Sequence, residues 1–89
     1  MMPRLELGRT LITPGALNSV PPEEVIVALT RHAQGDWGDL TEEDLRENDC
    51  ALVHGARILS AYHASNMVKF WIITEWDRSA TTILLPEEY

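Results

Sequence analysis

The chain has 89 residues and a mass of 10.0 kDa, which is enough for one domain, residues 1–89, and too little for two hydrophobic cores. A hydrophobic fraction of 45% with 24% charged residues excludes a disordered or fibrous chain. A formal net charge of −7 argues against direct DNA or RNA binding, which draws on positive charge.

In chain order, Leu5 to Ile12 alternates briefly and reads as an N-terminal edge strand that Gly8 weakens. Thr13-Pro14 predicts the cap and first position of a short helix ending before Pro21. A second helix starts at Pro21-Pro22-Glu23-Glu24, with Val25, Ile26 and Leu29 as its apolar stripe and Gly35 as its stop. After the loop Asp36-Trp37-Gly38-Asp39-Leu40, Thr41 is placed to cap a third helix, with Asp44 standing in for the usual capping-box glutamate. That helix is expected to bury Leu45, Leu52 and Val53 and to end at Gly55.

Beyond Gly55 the pattern changes to strands. Ala56 to His63, Met67 to Trp76 and Ala80 to Leu85 are rich in β-formers, and turn formers separate them at Ser65-Asn66 and Asp77-Arg78-Ser79. A register with Glu75 opposite Ala80 sets Thr74 against Thr81 and Ile73 against Thr82, with Phe70, Ile72, Thr74 and Trp76 on one face. The predicted fold is α+β: two main helices packed on one face of a three-stranded antiparallel meander, with room for the extra N-terminal edge strand.

The lone Cys50 has no intramolecular disulfide partner, and Met1 to Glu6 lack the apolar stretch of a secretory signal. The longest uncharged apolar run, Phe70 to Thr74, is far short of the roughly 20 residues that span a membrane. These features predict a cytoplasmic protein without a membrane segment.

Several of these strings together resemble a known group: His32, Gly35-Asp36-Trp37-Gly38, Leu59-Ser60-Ala61-Tyr62, Ile73-Thr74-Glu75 with Asp77-Arg78 and Thr81-Thr82, and Leu84-Leu85-Pro86-Glu87-Glu88-Tyr89. From about Gly8 to Tyr89 the chain is similar to small bacterial "plasmid-related" proteins of mobile elements, some of which are labelled type I restriction enzyme subunits. The second label fits poorly, because a methyltransferase subunit needs a cofactor-binding sheet and a catalytic motif that this length does not hold. The resemblance implies mobile-element company and no assigned chemistry.

Charge suggests the first functional reading. Residues 21–49 carry a net −7, whereas residues 1–20 carry +1 and residues 50–89 carry −1; seven carboxylates fall between Asp36 and Asp49. Such a run is ordinarily a solvated helix face. In a mobile-element protein it also suits a mimic of nucleic-acid phosphates that occupies the basic channel of a protein partner. Asp36, Trp37, Asp39, Glu42, Glu43 and Glu47 are the partner-binding candidates, Trp37 being either a hot spot or a lid on the small core.

The alternative is a metal-independent ribonuclease, since two helices followed by a meander are similar to the barnase and RelE-type architecture. Thr74 to Arg78 resembles the last barnase hairpin, with Arg78 where that family has a catalytic histidine. Such a site needs a base, a cation and hydroxyl donors, here His32, Arg57, Tyr62, Arg78 and Thr81 with Ser60, Thr74 and Thr82. The structural counterpart is a helix-capping His32 and an ordinary Thr74/Thr81 cross-strand pair. Cys50 and His54, four residues apart, have no third ligand at a recognisable spacing, and there is no glycine-rich phosphate loop; no metal or cofactor is expected. Monomer and dimer stay equally open.

Overall fold

A computed structural model describes residues 5–89; the amino-terminal part of the signal-peptide expectation, Met1 to Arg4, lies outside them. Strand β1 (Arg9–Ile12) is followed by helices α1 (Pro14–Ser19), α2 (Pro22–Ala33) and α3 (Glu42–His54), then by strands β2 (Ile58–His63), β3 (Lys69–Thr74) and β4 (Ala80–Leu84) and a 3-10 turn at Pro86–Glu88. The helix starts follow from local chemistry. Thr13 Oγ1 accepts from the Ala16 N–H, and Thr41 Oγ1 from the Asp44 N–H, while Pro22 opens α2 with Glu23 and Glu24 at the positive end of its dipole. Gly55 closes α3 in the left-handed conformation, φ 75°.

The fold is α+β as expected, but its sheet has four strands in the order β1-β4-β3-β2 and is mixed. The meander β2-β3-β4 is antiparallel with the predicted register, Thr74 opposite Thr81 and Ile73 opposite Thr82. Strand β1 adds to β4 in parallel, Ile12 pairing with Ile83. Gly8 stands just before this strand and does not interrupt it.

Alternation along the strands puts Ile58, Ser60, Tyr62, Phe70, Ile72, Thr74, Thr81 and Ile83 on one face. All three helices cover that face in two apolar clusters. Ala16, Val20 and Ala28 pack with Tyr62, Phe70, Ile72 and Ile83, and Ala51 packs with Leu5, Trp37 and Ile58. On the opposite face, Tyr89 sets its ring edge-on to Trp71 at 5.8 Å.

Three side chains differ from the sequence expectation. Ile26 and Val53 point outward, and Ala28, His32, Ala33, Asn48 and Ala51 are the buried residues of α2 and α3. Trp76 leaves the face it was assigned because β3 ends at Thr74: Glu75 N–H bonds Ala80, Arg78 N–H bonds Glu75, and Trp76 swings into solvent on the turn. No helix among the described residues is long and apolar enough to cross a membrane.

Candidate functional site

Two groups of polar residues stand out, one sealed and one open. In the sealed group His32, Ser60, Thr74 and Thr81 are all fully buried and joined in a row. His32 Nδ1 lies 2.5 Å from Ser60 Oγ and Nε2 2.8 Å from Thr74 Oγ1; Thr74 and Thr81 hydroxyls are 2.7 Å apart, and Thr81 donates to the Leu7 carbonyl at 2.7 Å. Each hydroxyl has one proton, so the order of donors follows from the far end. Thr81 spends its proton on Leu7, so Thr74 donates to Thr81; His32 Nε2–H donates to Thr74, and Ser60 donates to Nδ1. The imidazole is therefore the neutral Nε2–H tautomer. Burial, aided by the positive charge of Arg78, lowers its pKa to about 4.

Of the proposed nuclease residues, the fold joins His32 to Thr81 through Thr74 and puts the others to separate work. The Tyr62 hydroxyl donates to the Asp36 carbonyl under the Arg31 guanidinium, and its burial pushes its pKa up to about 12. Arg57 donates to the Tyr89 hydroxyl at 2.7 Å and stands 3.9 Å from Glu75. Arg78, at positive φ, donates to the carbonyls of Ala51, Glu75 and Ala56 and so clamps the end of α3 to the β3–β4 hairpin. With His32, Thr74 and Thr81 closed to solvent, these groups do not surround a cleft that a phosphate could enter. Thr82 lies on the other face of β4 from Thr81.

The open group begins in the Asp36–Leu40 loop, which closes the β2 edge of the sheet. Ala61 N–H bonds the Trp37 carbonyl and Asp39 N–H bonds the Ala61 carbonyl. Gly38 sits between them at φ +76°, where a Cβ would fall on the Ala61 carbonyl oxygen, so only glycine permits this approach. Trp37 is 3% exposed and its indole N–H donates to Asp49 at 3.0 Å, so the ring is a core element with no surface for a partner. Asp36 pairs with Arg31 at 2.7 Å, which holds its carboxyl below the usual range, and Asp39 meets His63 at 2.7 Å.

Glu42, Glu43 and Glu47 are different. All three are exposed on α3, and among the described residues none of them makes a side-chain hydrogen bond or ion pair. Glu43, Glu47, Cys50 and His54, with Arg46 among them, line an open groove together with Ala51 and Ala56. Cys50 is exposed, and no group of three metal-ligating side chains occurs among the described residues.

Sequence reasoning missed Asn48. Its carboxamide accepts from Leu59 N–H at 3.3 Å and donates to Leu59 C=O at 2.7 Å, imitating a neighbouring strand. The signal was available: Asn48 stands between Leu45 and Leu52 on the inward helical stripe, and a polar residue there needs a partner. Glu88 gave no signal, yet it accepts from Thr13 Oγ1, Gly15 N–H and Leu85 N–H, tying the 3-10 turn to α1.

Comparison with family models, curated proteins and solved structures finds no match for this chain.

Proposed function

We propose that this protein is a small acidic interaction module that docks the outer face of α3 against a basic surface of a protein partner. The observation that carries the reading is that Glu42, Glu43 and Glu47 are exposed and unpaired among the described residues, while Asp36 and Asp39 are engaged by Arg31 and His63. Carboxylates with no hydrogen-bond or ion-pair partner in the fold are available to a partner protein, and their clustering gives the electrostatic complementarity that raises association rates and rejects acidic competitors. A nucleic-acid enzyme with a basic channel is the concrete partner class, which suits the mobile-element resemblance. The sealed state of His32, Thr74 and Thr81 speaks against the ribonuclease alternative.

The test is capture of partners from a bacterial lysate with wild type and with a Glu42→Lys/Glu43→Lys/Glu47→Lys variant of matched stability. The expected result is a partner that is held at low salt, released as salt rises, and absent from the variant. A partner held regardless of salt and of the three reversals would overturn the reading. So would His32-dependent cleavage of RNA in the presence of EDTA.

A further inference from the structure

We propose that β1 pairs with β1 of a second copy, joining two sheets into one eight-stranded sheet across a two-fold axis at Leu11. The two edges of the sheet are built differently. At the β2 edge the main chain is already occupied, Leu59 by the Asn48 carboxamide and Ala61 by Trp37 and Asp39. At the other edge β1 is the terminal strand among the described residues. Arg9 N–H bonds Ser79 and Thr13 N–H bonds Ile83, so the alternate residues Thr10 and Ile12 direct their N–H and C=O groups away from β4.

That spacing is self-complementary. In an antiparallel pair centred on Leu11, Thr10 of each copy meets Ile12 of the other and exchanges both main-chain hydrogen bonds, while the two Leu11 residues face one another at a close non-hydrogen-bonded position. Pro14, which lacks an N–H and opens α1, ends the pairing. Leu11 is 41% exposed, and the pairing covers it with its own counterpart. Because the β2 edge is blocked, β1 has no complementary edge to add to head-to-tail, so the contact closes as a dimer and does not extend into a fibre.

Charge selects the same occupant. From Arg9 to Val20 the only charged residue is Arg9, whereas the acidic helix α3 packs on β2 at the far edge. Two chains of net −7 therefore meet away from their acidic helices, and the carboxylate held at the end of this edge, that of Glu88 on Thr13 and Gly15, lies toward Arg9 of the other copy, which the register sets opposite Thr13. The paired sheet carries its two α3 faces at opposite ends.

Sedimentation of the wild-type chain is expected to give a species of about 20 kDa, twice the 10.0 kDa chain, that persists at high salt. Leu11→Lys, at a half-exposed position, is expected to weaken the association at least tenfold without loss of helical and sheet signal, since a charged side chain on an edge strand opposes pairing. In a Cys50→Ser background, Leu11→Cys is expected to form a disulfide-linked dimer on mild oxidation, because the two Cβ atoms meet on the axis; Arg9→Cys, out of register with its own copy, is not. A 10.0 kDa species at every concentration overturns the proposal. So does a dimer that is indifferent to Leu11→Lys and links equally through either cysteine.

Discussion

The His32 row and the α3 face hold the two most conspicuous sets of polar side chains, and they stand at opposite extremes of solvent access. In the first, every donor has a partner, and among the described residues no buried side-chain polar atom lacks one. In the second, Glu42, Glu43 and Glu47 have no partner among the described residues. Burial makes hydrogen bonds obligatory, because an unsatisfied group in the core costs about 1–3 kcal/mol. Exposure removes that obligation and leaves charge free for recognition. Polar residue types alone do not separate these cases, and a histidine surrounded by hydroxyls is as consistent with a core bond network as with a catalytic centre.

The sharpest way to break the contrast is His32→Ala. Loss of two hydrogen bonds and an imidazole's volume is expected to cost about 3–4 kcal/mol, measured by urea unfolding. That is a large share of the ~5–13 kcal/mol a chain of this size commands at about 0.05–0.15 kcal/mol per residue. A comparable effect comes from pH. The folded pKa of His32 is lowered to about 4 from the ordinary 6.5, so the unfolded chain takes up the proton first. This contribution is fully present above pH 6.5 and is lost as pH falls from there through about 4, amounting to about 3 kcal/mol at most from roughly 1.4 kcal/mol per unit. Glu24, Asp36, Asp77 and Glu88 are lowered below their usual carboxylate values by their hydrogen-bond partners and add losses with the same sign at lower pH. The difference between wild type and His32→Gln isolates the histidine: the variant should show a flatter profile between pH 6.5 and 5.

Gly38→Ala probes the junction of the two regions. The left-handed backbone and the collision with Ala61 are expected to cost about 2 kcal/mol or more and to loosen the Trp37 lid, visible as a red shift of its fluorescence. The smallest effect belongs to α3. Glu42→Gln/Glu43→Gln/Glu47→Gln is expected to change unfolding stability by less than about 1 kcal/mol, since only the first two residues favour the helix dipole. A loss comparable with that of His32→Ala would show that the α3 carboxylates serve the fold and would remove the contrast.

Much of the architecture was readable because it rests on local chemistry. Thr13, Thr41 and Gly55 act as caps wherever the chain lies, and period-two runs between turn formers define β2, β3 and β4 with the Thr74/Thr81 register. Tertiary structure decided what local rules leave degenerate. Parallel addition of β1 to β4 joins residues some seventy positions apart, and no local pattern encodes such a pairing. The same holds for the choice of Ala28 and Ala51 over Ile26 and Val53: the close approach of a helix to the sheet favours small side chains, and hydrophobicity alone ranks these residues the other way. For the candidate sites, composition and spacing located both the acidic run and the histidine–hydroxyl set. Their division into an open face and a sealed row depended on which side of α2 met the sheet, a choice made by packing and by the need to satisfy every buried polar group.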